Sequence, residues 1–275
     1  MRKKARGAWA HALITGGSSG IGKEVARLLV REGTHVTLIA RRGDLLDAAA
    51  AELRGEPSVG DPRVLPLSAD VGDEGAIRAA IRLASEENGA VDALILCAGE
   101  VRCQPFEDHP PDSFERLMRT NYLGSVYPVQ EVLPGMRQRR SGNIVFLSSG
   151  TALAGIFGYA AYGPTKYAVH GLAAGLRTEF APEGVQVSVV FPPDTDTPQL
   201  AEENRTKPWE TKVLSGMAKM WQPDRVASHI VEGMGEGRFV IAPGWEMAWM
   251  QRLGGVLAPP LYWWSDFRIR RGRRT

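Results

Sequence analysis

A short apolar run that empties into a glycine-rich turn leaves this chain few folds to choose from. Residues 10–15 (Ala-His-Ala-Leu-Ile-Thr) lead into Gly16-Gly17-Ser18-Ser19-Gly20-Ile21-Gly22, and a helical pattern opens at Lys23. A strand, a glycine turn and a helix N-terminus in that order aim backbone N–H groups at one spot, where a pyrophosphate can sit. Gly16 allows the tight turn, Gly20 lets the backbone approach phosphate, and Gly22 lets the helix pack on the sheet. Ser18, Ser19 and Ile21 complete the loop. The spacing is G-x-x-x-G-x-G rather than G-x-G-x-x-G. An ordinary strand–helix turn is the competing reading.

The rest of the chain repeats the alternation. Candidate strands at 10–15, 35–40, 63–68, 92–97, 143–147, 186–191 and 239–241 are separated by periodic segments such as 23–32, 44–54, 74–87, 114–139 and 159–180. Ala93-Leu94-Ile95-Leu96-Cys97 is apolar throughout, as expected of a strand covered on both faces. Strict β–α alternation predicts a single Rossmann-type doubly wound α/β domain. Its seven-stranded sheet is mainly parallel, with helices on both sides. We place this domain at residues 1–242, with a polar, helix-rich insertion at 193–223. Residues 243–275 form a Trp- and Arg-rich C-terminal extension, amphipathic and hydrophobic.

Charge narrows the partners. The 33 basic residues nearly balance 31 acids, for a net charge of +2. Nine of the basic residues lie in two acid-free tails: Arg2, Lys3, Lys4 and Arg6, then Arg268, Arg270, Arg271, Arg273 and Arg274. Without them, 24 basic residues face 31 acids, and residues 7–267 carry −7. An acidic body argues against nucleic acid as a partner. Cys97 and Cys103 offer no ligand set for a metal and read as reduced thiols in a cytoplasmic protein. The five histidines are scattered, so we read them as structural and expect no metal. No apolar window reaches 18 residues, so no simple membrane-spanning helix is predicted. The apolar stretch at 8–14 reads as the first strand rather than a signal peptide.

Several positions carry candidate chemistry. Arg41-Arg42 follow the second strand, where this fold otherwise keeps a carboxylate for the adenine ribose. A guanidinium pairs with a 2′-phosphate, so the sequence favours NADPH over NADH. Asp44 reads as a helix N-cap. Asp70-Val71 follow the third strand, where an adenine ring would lie, although an ordinary turn aspartate fits equally well. Ala98-Gly99 are small enough for a cofactor to cross the sheet edge. Tyr162 and Lys166 are four apart, on one helix face. An ammonium beside a phenol, whose ordinary pKa is about 10, favours the phenolate, so the pair can exchange protons near neutral pH. Ser148-Ser149 close the preceding strand. Asn121 lies mid-helix, an odd place for a residue that prefers caps.

In this order, these elements resemble the short-chain dehydrogenase/reductase superfamily over residues 10–242. The resemblance implies that Ser149 is the catalytic serine and Tyr162 the acid/base. It implies that Lys166 lowers the pKa of Tyr162 and binds the nicotinamide ribose, and that Asn121 supports a proton relay through water. Pro192, Pro193 and Thr195 would join the cofactor site, and a homo-oligomer is expected. Cys97-Ala98-Gly99 departs from the Asn-Ala-Gly of many members.

A narrower likeness lies in Pro192-Pro193-Asp194-Thr195-Asp196-Thr197-Pro198, in residues 201–208 and in Asn121-Tyr122-Leu123-Gly124-Ser125-Val126-Tyr127-Pro128. These strings, and Cys97-Ala98-Gly99, are similar to 3-ketodihydrosphingosine (3-dehydrosphinganine) reductases. That group uses NADPH to reduce a long-chain 3-keto amino alcohol to sphinganine, at the cytosolic face of a membrane. Glu202 or Glu203 would then face the substrate ammonium, with a solvated helix start as the plainer alternative. Competing functions are a short-chain reductase of a steroid, 3-oxoacyl or small carbonyl substrate, and a non-catalytic NADPH-binding sensor. Trp245, Met247, Trp249, Met250, Leu253, Val256 and Leu257, followed by the arginine cluster, suit peripheral contact with an anionic membrane. A packed helix at a dimer interface suits them equally.

Overall fold

The computed structural model describes residues 9–215 and 220–272. Arg2, Lys3, Lys4, Arg6, Arg273 and Arg274 of the basic tails lie outside the described residues. The first half runs β1 (His11–Thr15), α1 (Gly20–Arg31), β2 (His35–Ala40), α2 (Gly43–Arg54), β3 (Val64–Ser68), α3 (Glu74–Asn88) and β4 (Ala93–Leu96). Next come α4 (Pro111–Met118), a π turn (Arg119–Leu123), α5 (Gly124–Arg139), β5 (Gly142–Leu147) and α6 (Gly163–Phe180). The chain ends with β6 (Val185–Val190), α7 (Pro198–Thr206), α8 (Trp209–Ser215), α9 (Pro223–Gly235), β7 (Val240–Ile241) and α10 (Trp245–Gly272). The sheet order is β3-β2-β1-β4-β5-β6-β7, and every pairing is parallel. Each of the seven expected strands is present, with its ends displaced by no more than a residue.

The apolar runs become strands because both faces of the sheet are covered. Ala12, Ile14, Val36 and Leu38 pack against Val25 and Leu29 of α1, Leu46 and Leu53 of α2, and Val226 and Ile230 of α9. Their neighbours Leu13, Ile39, Leu94, Ile144 and Phe146 point the other way, onto Ile77 of α3, Val129 and Met136 of α5, and Val169 of α6. The two-residue pleat assigns alternate side chains to opposite cores, and each fully buried aliphatic contributes about 1.5–3 kcal/mol. Pro66 has no N–H to donate, and is tolerated because β3 is an edge strand that pairs only with β2. His11 is buried with both ring nitrogens engaged, at 2.7 Å from the Gly89 carbonyl and 2.9 Å from Thr37 Oγ1. Cys97 and Cys103 are both free thiols.

Several helix boundaries differ from expectation: α1 opens at Gly20 rather than Lys23, and α4 at Pro111 rather than Phe114. The single helix expected at 114–139 is divided by the π turn that holds Asn121. The helix expected from 159 opens at Gly163, with Pro164 in its first turn, where a missing N–H costs nothing. Asp44 is not the cap of α2. That helix opens at Gly43 with Arg42 in the cap position, and Asp44 lies in the first turn, where its charge still suits the helix dipole.

Between β1 and β4 the winding reverses: β1 pairs with β2 on one side and β4 on the other. Helices therefore diverge there and leave a crevice beyond the carboxyl ends of the strands. The glycine turn, Ala98-Gly99, Ser148-Ser149 and the segment after β6 all emerge at that edge.

Candidate active site

The glycine turn is shaped by close approach. Gly16 has φ +70°, and a Cβ on it would lie 2.7 Å from the Ala98 backbone nitrogen. A Cβ on Gly22 would lie 2.5 Å from the Gly16 carbonyl oxygen, so only glycine lets α1 close on the loop. Ser19 holds the cap position of α1 without a side-chain hydrogen bond to the helix. The first N–H groups of α1 thus lack a side-chain cap, the setting in which an anion can take its place. Thr197 overhangs this turn: its Cγ2 is 3.0 Å from the Cβ position of Gly20.

Arg41 and Arg42 are both exposed beyond β2. Arg41 Nη1 is 3.9 Å from Asp70 Oδ2, while Asp70 Oδ1 accepts from the Gly72 N–H at 2.9 Å. Asp70 is therefore a turn aspartate that also faces Arg41. Val71 is buried beneath Gly124, where a Cβ would meet Val71 Cγ2 at 2.7 Å. Ala98 N–H donates to Thr15 Oγ1 at 3.3 Å, fixing the end of β4 to the end of β1.

The two serines after β5 point in different directions. Ser148 is buried, and its hydroxyl donates to the Lys166 carbonyl at 3.0 Å. Ser149 caps a single 3-10 turn, accepting from the Thr151 N–H at 3.2 Å, and its hydroxyl adjoins the Tyr162 phenol. Lys166 is buried; its Nζ donates to the Leu147 carbonyl at 2.9 Å and lies 5.7 Å from the Tyr162 ring centroid. Asn121 binds the Glu100 backbone twice, accepting from its N–H at 2.8 Å and donating to its carbonyl at 2.9 Å. Asn121 Nδ2 also donates to Thr165 Oγ1 at 2.9 Å, which in turn donates to the Tyr162 carbonyl at 2.7 Å. A Cβ on Gly99 would be 3.3 Å from Asn121 Oδ1 and 3.5 Å from Lys166 Nζ, so this glycine lets the two side chains converge. Ser149, Tyr162, Lys166 and Asn121 are thus brought together from three stretches of chain: the turn after β5, the start of α6 and the π turn.

Burial sets the protonation of this group. It holds the Tyr162 phenol above its ordinary range; the Ser149 hydroxyl works against it, and the Glu203 and Asp194 carboxylates reinforce it. Burial also brings the Lys166 ammonium down to about 8. Lys166 was expected to pull Tyr162 downward. Instead desolvation dominates at both groups, and the lysine proton is the one loosened. Cys97 is pushed up to about 12 by burial, so it remains a thiol.

The segment after β6 runs beside these groups. Pro192 and Pro193 are partly buried, and Thr195 is buried with its hydroxyl donating to the Pro193 carbonyl at 2.7 Å. Glu202 turns outward, its side chain 70% exposed and paired with Arg205 at 2.8 Å. Glu203 turns inward, its side chain 10% exposed. It accepts from the Tyr159 hydroxyl and meets Lys207 Nζ at 2.7 Å. The Tyr159 ring lies 5.9 Å from that of Tyr162, and both join Cys103, Val101 and Ile156 in a small apolar cluster of their own. The four-residue spacing of Glu203 and Lys207 was the one sequence signal for this arrangement.

Helix α10 lies against the same region, with non-helical backbone at Leu253. Met247 Sδ is 3.4 Å from the Cβ position of Gly150, and the Tyr262 hydroxyl accepts from the Gly155 N–H at 3.1 Å. A cleft of about 500 Å³ separates α10 from α6, lined by Ala152, Leu153, Tyr167, His170, Met250 and Gly254 among others. Trp245, Trp249, Val256, Trp263 and Phe267 are exposed. Among the described residues no helix is long and apolar enough to cross a membrane.

A family model described as short chain dehydrogenase matches residues 10–208. A 3-ketodihydrosphingosine reductase of Bos taurus is 43% identical over 252 residues, covering 91% of this chain and 76% of its own. A 3-dehydrosphinganine reductase of Danio rerio is 43% identical over 237 residues, covering 86% and 71%. Among solved structures, a short-chain dehydrogenase from Sphingobium yanoikuyae in complex with NADPH is 28% identical with a TM-score of 0.76, covering 96% of this chain and 94% of its own.

Proposed function

This chain belongs to the short-chain dehydrogenase family, and we propose that it is an NADPH-dependent reductase that converts 3-ketodihydrosphingosine to sphinganine. The observation that carries the reaction class is the meeting of Ser149, Tyr162, Lys166 and Asn121 at the carboxyl edge of the sheet. The names of relatives at 43% identity carry the substrate.

The residues present fit a dinucleotide. The uncapped start of α1, Gly16, Gly20 and Gly22 suit a pyrophosphate, and Ala98, Gly99, Pro192, Pro193 and Thr195 border its path. Arg41 and Arg42 are exposed beyond β2, where a guanidinium can pair with a 2′-phosphate, which is the basis for preferring NADPH. Bound there, NADPH supplies the hydride.

The protein supplies position and a proton. Tyr162 is protonated at neutral pH, as an acid for reduction must be, and gives its proton to the ketone oxygen. Ser149 donates a hydrogen bond to the same oxygen as charge develops. Lys166, beside the ring, compensates the phenolate left behind. Asn121 ties α6 to the turn after β4 and borders the route by which that proton is replaced.

A second reading concerns location. The exposed tryptophans of α10, with Arg268, Arg270 and Arg271 at its end, support peripheral contact with an anionic membrane surface.

The test is direct. Purified protein should oxidise NADPH when 3-ketodihydrosphingosine is added, and oxidise NADH more slowly. Tyr162→Phe should lower kcat by about 10²–10⁴-fold and retain NADPH binding. A fully active variant would overturn the assignment.

A further inference from the structure

The segment that overhangs the site carries a charge arrangement that catalysis by Ser149 and Tyr162 does not use. Glu203 of α7 is partly buried beside Tyr159, whose hydroxyl donates to Oε1. Lys207, one helical turn on and itself buried, also approaches Oε1. Asp194 lies close enough for Lys207 and Glu203 to act on its charge, and both Asp194 and Glu203 act on the Tyr162 phenol. Two carboxylates and one ammonium leave this trio with one net negative charge. Burial, reinforced by Glu203 and opposed by Lys207, holds the Asp194 carboxyl above the usual carboxylate range. Buried charge of one sign is costly without a partner, and one more cation would complete the set.

The substrate proposed above has such a cation. Its ammonium is on the carbon next to the ketone, so a ketone held by Tyr162 puts the ammonium a few ångströms from that hydroxyl. Tyr159 separates Tyr162 from Glu203 by little more than a ring, with centroids 5.9 Å apart.

We propose that Glu203, supported by Asp194 and steered by Tyr159 and Lys207, is the residue that recognises the substrate ammonium. The inference rests on the reductase reading and adds to it a basis for choosing an amino ketone over a plain one. Glu202 has no part, because it faces solvent with Arg205.

The experiment compares two ketones of equal chain length, 3-ketodihydrosphingosine and its analogue lacking the amino group, by kcat/KM with NADPH. The wild-type protein should favour the amino ketone by about 10–100-fold, the range of one charge-assisted hydrogen bond. Glu203→Gln should erase most of that preference, raising KM for the amino ketone about 10-fold or more beyond any change for the deamino ketone, and shift nothing in NADPH binding. Glu202→Gln should behave as wild type. Equal use of both ketones by the wild-type protein overturns the ammonium site and leaves the reductase intact, and reduction of neither overturns the reductase reading and this one with it. A Glu203→Gln protein that loses both ketones equally also refutes the recognition role, because the deamino ketone needs no carboxylate.

Discussion

Lys166 is the residue whose setting most departs from that of the free side chain. Its ammonium is buried, held by one carbonyl, and brought down from 10.5 to about 8. Below pH 8 it is charged whether the chain is folded or not, and the folded state bears the cost of burying it. Between about 8 and 10.5 the unfolded chain binds more protons than the folded one, so stability rises with pH across that window. The effect is bounded at about 3 kcal/mol. Urea unfolding of the wild-type protein and of Lys166→Met should therefore show a difference that moves in favour of the wild type as pH is raised from 8 to 10.5. A difference flat across that range would mean that the lysine is not desolvated. The serine pair teaches a related lesson: adjacent hydroxyls have unlike duties because the strand pleat turns one into α6 and the other toward Tyr162.

The turn between β1 and α1 depends on packing that tolerates no side chain at Gly22. Alanine there would put a methyl 2.5 Å from the Gly16 carbonyl, so α1 would have to lift from the loop. Gly22→Ala should lose about 1–3 kcal/mol in urea unfolding, the usual cost of overpacking, and weaken NADPH binding. Gly171→Ala on α6, where a Cβ meets nothing within 4 Å, should be neutral or stabilise by up to about 1 kcal/mol. The contrast also explains what could be read from the chain. Apolar runs and glycine spacing located every strand and the turn, because burial on two faces and close approach leave marks in composition. The π turn left only a misplaced asparagine, since a change from one hydrogen-bond pattern to another needs no special residue type. Beyond its spacing to Lys207, nothing told Glu203 from Glu202, because neighbours within one helix differ in the direction that tertiary contacts impose. The Asp44 cap misled for a similar reason: the aspartate stands only two residues past the cap position, in the first turn.

The assembled protein presents two unlike surfaces, an acidic body and a C-terminal helix with exposed tryptophans and an arginine end. Sedimentation with vesicles separates their roles. The protein should pellet with vesicles rich in anionic lipid at low salt, and pellet less as salt is raised. Charge reversal at Arg268, Arg270 and Arg271 should weaken pelleting while NADPH binding is kept. Wild-type protein that stays in the supernatant with anionic vesicles at low salt would refute the membrane reading. The contact of α10 with the turns beyond Ser149, through Met247 and Tyr262, bears on how a greasy molecule is delivered. A methylene moved into water costs about 0.8 kcal/mol, so ten of them raise a barrier of about 8 kcal/mol on any route through solvent. Under the membrane reading, α10 would touch both the pocket rim and the lipid surface and shorten that crossing to about the width of a helix, ~10 Å. Supply would then follow the density of substrate within the lipid layer rather than its vanishing concentration in water.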